Sequence, residues 1–145
     1  MLLALSVVVA TPVSRAASTR PAHLEVTPRR ATLATFTGGW IGHTRSLTIR
    51  RGGHASESIY SGCCDAVLNL TFRLSRPEGT WTSASATASV TGVWIRDRSA
   101  FSKAYRPPQV GEVRVLRLKE GVLTETLTRT VYCDARAENA GKCGA

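Results

Sequence analysis

His43, Arg45 and Glu125 are the residues whose types and positions best suit chemistry. An imidazole, a guanidinium and a carboxylate brought together make either a site for a polar or anionic group or a buried ion pair. Both of their segments alternate. Ile41, His43, Arg45, Leu47 and Ile49 share one parity, and so do Leu123, Glu125, Leu127, Arg129 and Val131. On a strand, residues of one parity face one side, so these charges are expected among apolar neighbours. A buried charge must be paired, which makes a cluster of His43 or Arg45 with Glu125 physically reasonable. Catalysis asks for more. A general base needs a nucleophile and an orienting acid in reach. Ser46, Ser58 and Ser61 are ordinary strand or turn serines, and no G-x-S-x-G elbow occurs. A hydrolase built around His43 is therefore the weakest functional reading, and no catalytic residue is assigned. His54-x-x-Glu57 offers two metal-ligand types at a turn without a third nearby, which suits a solvated loop better than a metal site. No residue set points to a cofactor.

The cysteines carry a second kind of chemistry. Cys63, Cys64, Cys133 and Cys143 form an even set, and the first ten residues are an apolar run followed by small residues up to Ala17. That opening has the pattern of a signal peptide, 1–16, although no basic residue precedes the run. In an exported chain an even cysteine count implies two disulfides, and the spacing does not match a CxxC…CxxC zinc pattern. Bonding adjacent Cys63 and Cys64 would strain the peptide between them. The strand parities favour Cys64–Cys133 with Cys63–Cys143. Such a bridge closes a loop of about 70 residues and contributes roughly 4 kcal/mol in the loop-entropy model.

The elements that must position these residues are strands. Trp40–Ile49, Ser56–Tyr60, Ala66–Leu74, Thr80–Ile95, Glu112–Leu118 and Val122–Tyr132 alternate or are rich in strand-forming residues, with Gly- or Pro-containing turns between most of them. Ala66–Leu74 is the clearest, with Leu68, Leu70, Phe72 and Leu74 on one face. Gly92 marks a bend or bulge within its strand. Residues 97–111 form the longest loop, and the tail after Tyr132 is irregular and held by Cys143. Residues 17–35 contain two prolines and little periodicity, and are expected to be a mobile lead-in with one helical turn near Ala31–Ala34. No segment shows a helical apolar period. The expected fold is all-β: a small antiparallel barrel or sandwich of about seven strands over 36–145.

The chain of 145 residues carries 19 basic and 10 acidic side chains, a formal net charge of +9. Such a domain is drawn to anionic surfaces. Arginine outnumbers lysine 16 to 3, so part of that charge reflects a base-composition bias rather than a binding task. Nucleic acid is the less natural partner, because no helix is present to enter a groove and Trp81 and Trp94 are isolated. No run reaches the roughly 20 apolar residues of a membrane-spanning helix, so no transmembrane anchor is expected.

Gly38-Gly39-Trp40 at the start of the first strand resembles the G-x-W of the calycins, the lipocalin-like small-molecule-binding barrels. That resemblance implies that Trp40 closes one end of a barrel and that a basic side chain from the last strand, here Arg129, packs over its ring. The whole chain also resembles small exported actinobacterial proteins that share a G-x-W-x-G-H-x-R opening and a late YCD…CG ending. This second resemblance implies secretion and a compact domain, and no activity. Two non-enzymatic functions follow as expectations. One is a calycin-like pocket for a small, partly apolar or anionic ligand, with His43, Arg45 and Glu125 near it and Ala84, Ala86 and Ala88 leaving it room. The other is an extracellular module that holds an anionic envelope polymer through arginines at its turns, Arg50, Arg51, Arg96 and Arg98 among them.

Overall fold

The computed structural model describes residues 27–62 and 64–143. Alternating side chains give eight strands: β1 (Gly38–Gly42), β2 (Arg45–Ile49), β3 (His54–Ser61), β4 (Asp65–Gly79), β5 (Ser83–Ile95), β6 (Val113–Lys119), β7 (Val122–Glu125) and β8 (Val131–Cys133). Each pairs antiparallel with the next. β8 returns to β1, with Ile41 opposite Cys133 and Gly42 opposite Tyr132, so the meander closes into a barrel. Closure removes the sheet edges that an open sheet would expose.

The strands number eight rather than about seven because two of the six alternating runs each hide a hairpin. Trp40–Ile49 turns at His43 and Thr44, and Thr44 takes φ 52°. Val122–Tyr132 turns at 126–130, where Arg129 takes φ 57°. Glycine usually occupies such left-handed positions. A threonine and an arginine there leave no turn signal in the sequence. β4 also continues past Leu74 through the Pro- and Gly-containing stretch Ser75–Gly79, absorbing Arg76 and Pro77 as a register irregularity between Ser75 and Glu78. The bulge expected at Gly92 is present, since Thr71 opposes Gly92 while the next residue, Phe72, opposes Val90.

The core fills the barrel. Leu68, Leu70, Leu74, Val90 and Leu123 are at most 1% exposed. On β5 the inward residues are Ala84, Ala86 and Ala88, which lie opposite Leu118, Leu116 and Arg114 of β6. Small side chains thus face large ones, and the alanines make room for their neighbours. About 10 Å³ of space remains among Leu47, Phe72, Ala88, Leu116 and the interior charges, room for no more than one water. The space expected for a ligand beside these alanines is occupied by the protein's own side chains.

One end of the barrel is closed by the lead-in. The Ala31 N–H donates to Gly79 O at 3.0 Å, and the Arg29 carbonyl accepts from Trp81 N–H at 2.9 Å. A single 3₁₀ turn, Leu33–Phe36, then tucks the fully buried Phe36 under the strands. The described part of the expected mobile lead-in is therefore packed structure, because Ala31 and Phe36 have apolar surface to bury. Residues 17–26 and the expected signal peptide 1–16 lie outside the described residues. Among the described residues no helix is long and apolar enough to cross a membrane.

The cysteine expectation is corrected. Cys133 is bonded to Cys143, with Cα atoms 6.1 Å apart. The tail forms one short helix, α1 (Ala135–Asn139), capped by the Asp134 carboxylate, which accepts from Ala137 N–H at 2.7 Å. That turn reverses the chain and returns Cys143 to the end of β8. Neither cysteine is left to tie the tail to the middle of the chain, so Cys64–Cys133 and Cys63–Cys143 do not form. Cys64 is itself disulfide-bonded, and Cys63 lies outside the described residues.

Candidate functional site

The barrel interior holds charge, and the charge is paired. Glu57 on β3 is 2% exposed and shares a face with Ala55 and Ile59. Its Oε1 accepts from Arg45 Nη1 at 3.0 Å and from the Tyr132 hydroxyl at 2.6 Å. Burial works against the Arg45 charge, yet the Glu57 carboxylate and Tyr132 more than offset it, and the guanidinium pKa stands above its ordinary value. Burial first, and the Glu57 carboxylate second, raise the Tyr132 hydroxyl far above the ordinary phenol. Both groups keep their protons at any physiological pH.

A second set lies beside the first. Arg114 on β6 is 5% exposed and sits over the Phe72 ring, 5.8 Å from its centre. It donates to Glu112 through Nε at 3.0 Å and Nη2 at 2.9 Å, and Nη1 lies 3.7 Å from Glu125. Glu125 also holds the β7–β8 turn, accepting from Leu127 N–H at 2.6 Å, from Thr128 N–H at 3.0 Å and from the Thr128 hydroxyl. Among the described residues no buried side-chain nitrogen or oxygen lacks a partner. With each fully buried polar atom partnered, this set stabilises the barrel as it stands.

The expected site residues therefore separate. Arg45 and Glu125 both reach the interior, but each takes a different partner, Glu57 and Arg114. His43 is exposed in the β1–β2 turn and joins neither set. Trp40 is buried at the end closed by Phe36, and its indole N–H donates to Phe36 O at 3.0 Å. Arg129 is exposed in the β7–β8 turn and does not cover Trp40. The described guanidinium–ring contacts are instead Arg29 on Trp81, Arg98 on Tyr105 and Arg114 on Phe72. His54 pairs with Arg73 on the outer surface while Glu57 points inward. Three residues apart on a strand means opposite faces, so the two cannot share a metal. No metal-binding cluster exists among the described residues. Sequence reasoning missed the interior roles of Glu57, Arg114 and Tyr132. The signal was present for Glu57 and Arg114, which keep the parity of Ala55 and Ile59 and of Leu116 and Leu118.

A broad groove lies outside the barrel, across the outer faces of β5, β6 and β7. Lys119 stands between Ser83 and Val122, and Arg117 between Ser85 and Thr124. Arg129 reaches the groove from the β7–β8 turn and Lys142 from the tail. Its volume is about 1010 Å³. Lys142 is neutralised by Glu120 at 3.3 Å. Arg117, Lys119 and Arg129 have no ion-pair partner among the described residues. Glu78 is the other acid on the rim. The arginines expected to gather do not: Arg50 and Arg51 occupy the β2–β3 turn at the Phe36 end, while Arg96 and Arg98 follow β5 at the opposite end.

The loop between β5 and β6 covers that opposite end. Phe101 and Tyr105 stack at 4.4 Å and pack against the core. Burial raises the Tyr105 pKa, and the charges of Arg45, Arg114 and Glu57 act on the same hydroxyl. The chain matches no family model, no curated protein and no solved structure.

Proposed function

We propose that this chain is an exported, non-enzymatic barrel module that holds an anionic polymer in the β5–β7 groove. The observation that carries the reading is the set Arg117, Lys119 and Arg129: three cations with no ion-pair partner among the described residues, spaced along one groove. Hydroxyls of Ser83, Ser85, Thr124 and Thr126 lie between or beside them, able to donate to phosphate or carboxylate oxygens. The N-terminal apolar run and the disulfide-bonded cysteines support export. The test uses soluble poly(glycerol phosphate) and polyglutamate, with neutral dextran as control. Binding to the anionic chains is expected to fall steeply as salt shortens the screening length. A triple Arg117→Glu, Lys119→Glu, Arg129→Glu variant is expected to lose it, and Arg50→Glu, Arg51→Glu to keep it. Equal binding by the groove variant would overturn the proposal.

A second reading places a small ligand inside the barrel, as in calycins. The closed barrel and the buried Trp40 at one end support it. Both the Phe101–Tyr105 loop and the side chains that fill the interior would then have to move to admit a ligand. A small molecule retained by the purified protein in native mass spectrometry would favour this reading over the groove.

A further inference from the structure

The outer face of β2–β5 is built unlike the groove. Pairing aligns Ser46, Ser58, Asn69 and Trp94 in one outward row across four strands, and Thr48, Ser56, Thr71 and Gly92 in the next. At about 4.8 Å per strand the rows form a shelf roughly 14 Å long. Not one of these eight residues is charged, on a chain of net charge +9. Trp94 is 55% exposed. Its ring lies down along the strand: a methyl built at Gly92 would meet the ring's Cζ3 at 2.7 Å and Thr71 Oγ1 at 2.8 Å. Gly92 is buried on an outward row because the indole covers it. Thr71 and Thr91 hydroxyls bond each other at 2.9 Å on the same outer face.

From this arrangement we infer that the β2–β5 face is a stacking site for a neutral glycan, with Trp94 as its platform. A flat aromatic ring with one free face presents the negative side of its quadrupole. The C–H groups on the apolar side of a pyranose ring complement that face. Hydroxyls and an amide around the ring supply both donors and acceptors, which sugar hydroxyls require. The two rows carry no charge themselves, while Arg50, His54 and Arg73 border the row of Thr48, Ser56 and Thr71. The salt dependence of binding separates a neutral glycan on the rows from an anionic chain held by that border. A protein partner would call for a broader apolar patch than one ring set among hydroxyls.

The test titrates soluble β-1,4-linked glucose and N-acetylglucosamine oligosaccharides, followed by tryptophan fluorescence and calorimetry at low and high salt. Saturable binding insensitive to salt is expected. Trp94→Ala is expected to weaken it by about tenfold or more. Gly92→Ala keeps the indole but lifts it off the sheet, and is expected to weaken binding as well. Trp81→Ala, whose ring is held by Arg29 at the β4–β5 turn, is expected to bind as the unaltered protein does. No saturable binding to either series overturns the inference, as does binding that Trp94→Ala leaves unchanged. Binding that vanishes with salt overturns it too, as does binding that the groove variant loses, which assigns the sugar to the groove.

Discussion

Glu57 receives both Arg45 and Tyr132 on a single oxygen, Oε1, with its side chain only 1% exposed. Removing that carboxylate strands a buried phenol and a guanidinium that is itself only 24% exposed. The truncation cost of one partner in a buried pair is large, because the survivor stays desolvated and unpaired. Glu57→Ala is therefore expected to lose about 3–5 kcal/mol of stability in denaturant melts. Glu57→Gln keeps an acceptor for both donors and is expected to lose clearly less. Equal losses would mean that packing, not pairing, governs the position. Glu125 is different in kind. Its carboxylate serves two backbone N–H groups of the β7–β8 turn as well as Arg114, so its placement near the mouth of the barrel is accounted for by the turn it holds.

The C-terminal segment shows how one element depends on a covalent tie. β8 has three residues, and α1 five. Neither is long enough to hold itself, and Cys133–Cys143 joins them across 10 positions. A loop this short contributes roughly 2–3 kcal/mol by the chain-entropy argument. Replacing both cysteines by serine is expected to cost about that much. Lys142 is also expected to leave Glu120, seen as a loss of protease resistance confined to the tail. Uniform loss across the barrel would contradict this division. The same segment marks the limit of sequence reasoning. The all-β class, the inward face of β4, the bulge at Gly92, the inward direction of Arg45 and the burial of Glu125 are legible from period-two alternation. The split of Val122–Tyr132 is not, because Arg129 at positive φ looks like any other strand residue. Nor is the pairing of Arg45 with Glu57, which rests on the register between β2 and β3. Alternation tells which face a residue takes, and only the register tells whom it meets. The groove is hidden for a related reason: Arg117 and Arg129 are near in sequence, but the hairpin turn that brings Arg129 to the rim is the one that carries no turn residue.

At the scale of the whole barrel, closure is uneven. β4 and β5 are 15 and 13 residues long, whereas β8 pairs with β1 through two residue pairs only. A closed meander opens where its ladder is shortest, since local opening costs least where few interactions must break. The β8–β1 seam is that place, and Tyr132 bridges it from the inside by donating to Glu57 on β3. Tyr132→Phe removes this bridge while keeping the ring. Amide exchange is expected to accelerate in β1 and β8 and to stay slow in β4 and β5. The same substitution changes the pH response, and the sign follows from the raised phenol. The folded protein holds the Tyr132 proton above the ordinary value of 10.0, whereas the unfolded chain releases it there. The unfolded state then binds fewer protons, so stability falls as pH rises. Stability from this group is complete below that value and is lost progressively above it. The unaltered protein is thus expected to lose stability more steeply than Tyr132→Phe as pH rises past 10.0. Parallel alkaline curves for the two proteins, or exchange accelerated equally in β4, would show that the seam is not where this barrel opens.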